Sequence, residues 1–90
     1  MLIFYAFRIG ASNFKGGDMD KFSCTRSLSE EIYYATLIAE NAQQAKEMAI
    51  AEVNQKFSKS GGRLREWSVR VLESGVDGPA RIIDCGYRDA

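Results

Sequence analysis

The residues that could carry chemistry are carboxylates, two cysteines and a group of arginines and lysines, because the chain contains no histidine. Without histidine, the usual general base of hydrolases and the commonest transition-metal ligand are both missing. Asp18 with Asp20, and Glu30 with Glu31, are neighbouring carboxylates without a basic partner. Two catalytic carboxylates must be fixed in a concave cleft. We therefore predict surface carboxylates and a protein that is not an enzyme, with no metal site and no cofactor.

Two glycine-rich stretches, "FKGGDMD" at 14–20 and "KSGGR" at 59–63, resemble neither a phosphate loop nor a calcium loop. A phosphate loop needs a fixed glycine-to-lysine spacing between a strand and a helix. A calcium loop of the EF-hand type needs a longer series of ligands that ends in a bidentate glutamate. Both stretches are predicted to be turns.

A basic stretch is the local charge asymmetry of a chain whose twelve Lys and Arg balance twelve Asp and Glu. The basic residues from position 56 to 70 face a single acid, Glu66, and are Lys56, Lys59, Arg63, Arg65 and Arg70. Arginine suits partner recognition because its planar fork pairs bidentately with carboxylate or phosphate. An ordinary solvated loop and strand face would carry the same residues. The predicted partner-binding residues are Lys15, Tyr34, Lys59, Arg63, Arg65 and Arg70.

The length and composition fit one domain over residues 1–90, with room for one thin core. No apolar run approaches the roughly 18 residues of a membrane span. The start, "MLIFYAFRIG", alternates like a strand and lacks the basic region of a signal peptide. We expect a cytoplasmic protein whose Cys24 and Cys85 are reduced and buried; the alternative is a disulfide or a paired redox role.

Alternation of apolar and polar residues predicts strands over 2–9, 21–26, 64–74 and 81–87. The first two strands are expected to pair across the loop at 10–20. The last two are expected to form a C-terminal hairpin. A helix is predicted over 42–57, where a stripe at three- and four-residue spacing consists of Ala42, Ala45, Met48, Ala49, Val53 and Phe57.

Residues 27–39, "SLSEEIYYATLIA", fit two structures. Read with helical spacing, they extend the following helix, and Ser27 with Glu30 would form its capping box. Read with a period of two, they form a strand, which their isoleucines and tyrosines favour. Asn41 followed by Gln44 is a second capping-box pattern, and it favours a strand followed by a separate helix. The expected fold is then α+β, an antiparallel sheet of four to five strands with one helix on a face, in the order β-β-β-α-β-β.

The stretch 35–49, "ATLIAENAQQAKEMA", resembles a pattern of small phage and mobile-element proteins, including anti-CRISPR proteins, in which a strand ends at a polar cap before an alanine-rich helix. That resemblance implies a single domain without catalytic residues that binds a CRISPR effector complex and blocks nucleic-acid or nuclease recruitment. It carries no individual functional residue across to this chain.

These observations favour a non-enzymatic protein-binding module of the phage inhibitor type, which occludes a host nucleoprotein complex. The alternative is a small nucleic-acid-binding domain whose sheet face stacks aromatic side chains on bases. A net charge of zero argues against that alternative, because nucleic-acid binding needs an excess of basic residues. The protein is expected to be a monomer or an edge-to-edge homodimer.

Overall fold

A central antiparallel hairpin organises the computed structural model, which describes residues 17–90. Strands β1 (Met19–Ser27) and β2 (Glu31–Ala39) form this hairpin, and helix α1 (Ala42–Lys56) follows it. A short 3-10 helix (Leu64–Glu66) then precedes β3 (Ser68–Val76) and β4 (Arg81–Asp89). The predicted α+β class, with an antiparallel sheet and one helix, is confirmed. Residues 17–90 contain four strands in the order β-β-α-β-β, and the strand predicted over 2–9 lies outside them, as does its pairing with 21–26.

The ambiguous residues 27–39 form a strand and not a helical extension. Helix α1 begins where the capping pattern predicts it, since the Asn41 Oδ1 accepts a hydrogen bond of 2.8 Å from the backbone N–H of Gln44. The Gln44 side chain reaches back to the N–H of Glu40 at 2.6 Å, one residue earlier than in the usual capping box. The two bonds fix the direction in which the chain leaves β2.

Helix α1 packs on one face of the sheet through small side chains. Ala45, Ala49 and Val53 are completely buried, and they meet the inward-facing residues of the hairpin, Phe22, Cys24, Tyr33, Ala35 and Leu37. Met48 and Phe57 are half-buried beside them. Ala42 is exposed, so the predicted apolar stripe begins one turn later than expected. We call the side of the sheet that α1 covers the helix side, and the side that α1 does not cover the open face, although Ile38 is buried on it.

The two C-terminal strands lie on opposite edges of the sheet, in the order β3-β1-β2-β4, so the predicted hairpin between them is wrong. The physical reason is that β1 and β2 use one edge each for their own pairing and leave one edge each free. β3 takes the free edge of β1, and β4 takes that of β2. Residues 77–80 must therefore span three strand spacings, about 14 Å. They pass so close to Gly17 that a Cβ there would collide with the backbone of Val76 and Asp77.

The segment predicted as a strand over 64–74 is divided in two. Residues 64–66 form the 3-10 helix, Trp67 is buried, and the strand itself begins at Ser68 and continues to Val76. The expected turn at 75–80 is accordingly shorter. The last strand, predicted over 81–87, extends to Asp89.

The two cysteines are free and buried, as predicted. Cys24 lies opposite Ala35, and Ala35 lies opposite Cys85, so one whole strand separates the two thiols. Two strand spacings are about 10 Å, well beyond the Cα separation that a disulfide tolerates. Burial raises the pKa of the Cys24 thiol to about 11 and also raises that of Cys85, which keeps both thiols protonated and unreactive at neutral pH.

Candidate protein-binding surface

The six predicted site residues do not form one cluster. Lys15 lies outside the described residues. Lys59, Arg63 and Arg65 lie on the connection 57–67, which we call the covering loop because it crosses the helix side of the sheet after α1. The other two lie on the open face, where Arg70 is opposite Ser23 and Tyr34 is opposite Thr25.

The covering loop is held in place by Trp67. The indole N–H of this buried residue donates a 2.7 Å hydrogen bond to the carbonyl of Gly61. The N–H of Gly61 donates in turn to Asn54 Oδ1 on α1, at 2.6 Å. A Cβ on Gly61 would lie only 2.6 Å from the Ile50 carbonyl oxygen, so the loop backbone rests directly on the helix. The loop is therefore a fixed element and not a loose connection.

A second anchor joins the covering loop to β1. Arg26 projects from β1 on the helix side, and its guanidinium donates to the Ser60 carbonyl at 3.0 Å and to the Glu66 carboxylate at 3.2 Å. The same carboxylate oxygen accepts the backbone N–H of Arg63 at 2.8 Å. Arg26 Nε is buried and has no hydrogen-bond partner among residues 17–90. The positive charge of the Arg26 guanidinium therefore lies next to Glu66, which is the one acidic residue of the basic stretch.

The arrangement leaves Arg63 and Arg65 without an acidic partner in the described part of the chain. Both are exposed, and Glu66 is already bonded to Arg26 and to a backbone N–H. The hydrogen bond from the Arg63 N–H, assisted by the charges of Arg26, Arg65 and Arg63, lowers the pKa of Glu66 below its ordinary value of 4.5. The guanidinium groups of Arg63 and Arg65 are therefore exposed on a loop that Trp67 and Arg26 hold in place.

We expect Glu66 to make stability depend on acid pH. Because its pKa is lower in the folded chain than in the unfolded one, its contribution is present above the unfolded value and is lost as the pH falls through the folded value. Glu66→Gln should lower the thermal midpoint at pH 7 and reduce the loss of stability between neutral and acid pH. Circular dichroism melts across this range measure both effects.

The control for this titration is Glu47→Gln, which removes an exposed carboxylate on α1 whose hydrogen-bond partner among residues 17–90 is Gln43. Its melting curve should follow that of the wild type at every pH. Equal pH profiles for Glu66→Gln and the wild type would show that the Arg26–Glu66 contact contributes nothing.

A cluster of three aromatic rings, of which Tyr87 is the exposed member, lies at the other end of the covering loop. The rings of Tyr33, Phe57 and Tyr87 pack together, with Phe57 and Tyr87 edge to face at 5.0 Å. Tyr33 is buried and donates to Glu31 at 2.9 Å; burial, and then this bond, raise the pKa of its phenol. Tyr87 is 45% exposed, and Lys59 lies over its ring at 5.9 Å while pairing with Glu31 at 3.7 Å.

We define the loop surface as Lys59, Arg63, Arg65 and Tyr87. The three basic residues were predicted from the sequence, whereas Tyr87 was not among the predicted partner-binding residues. The Arg26–Glu66 contact and the Trp67 anchor were missed, because each joins residues that are separated in the sequence and follow no local period.

The open face offers a different chemistry. A shallow depression on it is lined by Ser23, Thr25, Ser68, Val69 and Arg70. The ring of Tyr34 lies over the backbone of Gly86, so it is half-buried by its own sheet. Among residues 17–90, no group of three or more acidic or cysteine side chains could hold a metal ion, and no helix is long and apolar enough to cross a membrane.

Comparison with known proteins adds no assignment to this geometry, since no family model, no curated protein and no solved structure matches the chain.

Proposed function

We propose that this protein is a non-enzymatic protein-binding module, and that its loop surface contacts an acidic surface on the partner. The observation that carries the proposal is the pair Arg63 and Arg65, which are exposed on a loop that Trp67 and Arg26 hold rigid. Rigid presentation reduces the ordering entropy that binding must overcome. Arginine and tyrosine are also the residue types that dominate binding hot spots.

The charge of the loop supports an acidic partner. Its only acid is Glu66, which is bonded internally, whereas its arginines have no acidic partner within residues 17–90. Long-range attraction would speed the encounter with a negatively charged surface. An inhibitor of a host nucleoprotein complex, the function implied by the sequence resemblance, would use such a surface to occlude the place where nucleic acid or a nuclease docks.

The test is capture of the partner by wild-type and charge-reversed protein. Arg63→Glu combined with Arg65→Glu should lower the amount of captured partner by more than about tenfold, because two arginine contacts become repulsive. The fold should persist, since both side chains are exposed. Affinity purification from cells of the source organism, with quantitative mass spectrometry, measures the captured partner, and circular dichroism checks the fold.

A matched control places the same change in net charge on the open face. Lys21→Glu combined with Arg70→Glu alters two basic residues of the opposite side of the sheet. This control should retain the captured partner. Equal loss from both double variants would mean that only net charge matters, and unchanged capture by the Arg63 and Arg65 variant would contradict the proposal.

The alternative of direct nucleic-acid binding has a narrower basis. Arg70 lies on the open face with several hydroxyl side chains, but Tyr34, the aromatic that could stack on a base, is half-buried with its ring against Gly86. Gel-shift measurements at two salt concentrations separate the functions. Affinity for single-stranded nucleic acid that falls steeply with salt would favour the alternative.

A further inference from the structure

The outer edge of β4 presents backbone groups that no other strand of residues 17–90 pairs with. The N–H of Ala90 donates to the carbonyl of Glu30, which sets the hydrogen-bonding phase of the ladder between β2 and β4. In an antiparallel ladder this phase alternates. Gly86 and Arg88 therefore bond to β2, while the backbone groups of Cys85, Tyr87 and Asp89 point away from it. The bond of 2.9 Å from the Lys56 amine to the Cys85 carbonyl agrees with this orientation.

We propose that a second copy of this chain pairs with β4 along this edge, antiparallel and with Gly86 opposite Gly86 of the second copy. In that register Cys85 lies opposite Tyr87, and both are residues whose backbone groups point outward. They would exchange two hydrogen bonds, as a closely spaced antiparallel pair does. The contact is symmetric, so every interaction occurs twice.

Charge complementarity selects this register. Asp84 and Arg88 lie on the open face, at positions opposite Thr36 and Ile32 of β2. Both side chains are exposed, and neither forms an ion pair with another described residue. Pairing around Gly86 puts Asp84 of each copy directly opposite Arg88 of the other. Opposite charges at such positions stabilise antiparallel pairs.

The geometry of β4 suits this pairing better than that of β3, the other edge. The ladder between β3 and β1 has two register shifts, whereas that between β2 and β4 has one, before Asp84, so β4 runs without a shift from Asp84 to Asp89. The Lys56 amine holds the Cys85 carbonyl at 2.9 Å and Cys85 is only 4% exposed, so the Lys56 side chain must move aside when the second copy binds. The carbonyl oxygen has two lone pairs and can accept a hydrogen bond from each chain.

The pairing has a defined consequence for the loop surface. Paired residues point to the same side of a sheet, and the proposed register pairs odd-numbered residues with odd-numbered ones and even-numbered residues with even-numbered ones. The two helices therefore lie on one side of a continuous sheet, and the two loop surfaces face the same direction. The dimer uses the backbone of Tyr87 but neither Arg63 nor Arg65, the pair that carries the proposed function, so the two proposals are tested by different variants.

The test is the mass of the full-length chain in solution, measured by sedimentation equilibrium over a range of concentrations at low salt. The wild type should approach twice 10.1 kDa as the concentration rises. Arg88→Asp places two acids opposite each other at both ends of the contact and should weaken the dimer by about tenfold or more. Combining Arg88→Asp with Asp84→Arg restores opposite charges and should restore the dimer.

Arg70→Asp, the matched change on β3, should leave the dimer unaffected. A wild type that stays monomeric at every concentration would overturn the proposal. A dimer that Arg88→Asp does not weaken, or that the double exchange does not restore, would also overturn it.

Discussion

Trp67→Ala is expected to lower the free energy of unfolding by about 3 to 5 kcal/mol, the usual cost of removing a buried indole from a core. Trp67 is 2% exposed and belongs to the cluster that joins α1 to the sheet. Its removal also leaves the Gly61 carbonyl without the indole N–H that it accepts at 2.7 Å. The covering loop then loses its main contact with the core. Urea unfolding followed by circular dichroism measures the change.

Trp67→Phe separates packing from hydrogen bonding. Phenylalanine keeps most of the buried apolar area but has no hydrogen-bond donor for the Gly61 carbonyl. The free energy of unfolding is therefore expected to fall by only about 1 to 2 kcal/mol. Partner capture should fall with Trp67→Ala even where the variant remains folded, because Arg63 and Arg65 would no longer be held in place. An unfolding free energy for Trp67→Ala within about 1 kcal/mol of the wild type would show that the loop is not anchored in this way.

Ala49→Leu is expected to destabilise the chain by about 1 to 3 kcal/mol through overpacking. Ala49 is completely buried where α1 crosses the sheet, and its small side chain allows the close approach of the helix. Leucine has a helix propensity close to that of alanine, so helix formation itself changes little. The added atoms must instead push α1 away from β1 and β2. Thermal unfolding measures the loss.

The matched control is Ala51→Leu, two residues along the same helix on its exposed side. Its stability should stay within about 0.5 kcal/mol of the wild type, as expected for a surface substitution. If both substitutions had equal effects, the close packing of α1 on the sheet would not be the reason for the alanines at these positions.

Helix α1 and most of the four strands of residues 17–90 could be predicted because their signals are local, although residues 64–66 were assigned to a strand and form a 3-10 helix. The apolar stripe of α1, the Asn41 cap and the alternation of β2 each involve neighbouring residues, and each agrees with the structure. Ala42 was assigned to the stripe, but it lies in the first turn, where the helix has not yet reached the sheet.

The pairing of the edge strands and the anchors of the covering loop could not be predicted in this way. Alternation shows that β3 and β4 are strands but does not say which neighbour each one takes. Because β3 and β4 are close in sequence, a hairpin was predicted, yet the free edges of β1 and β2 are the two opposite edges of their hairpin. Likewise, Arg26 and Glu66 are 40 residues apart. Only the tertiary fold brings them together and leaves Arg63 and Arg65 free of an acidic partner within residues 17–90.

The location of β3 and β4 on opposite edges also determines when each edge of the sheet can form during folding. The β1–β2 hairpin and α1 are contiguous in the chain, whereas each edge strand pairs with a partner that precedes the helix. Such non-local contacts require large loops to close before they add stability, which slows folding. During synthesis, the two outer edges of the hairpin have no partner strand from residues 17–90 until β3 and β4 have been made, and other chains could pair with them in that time.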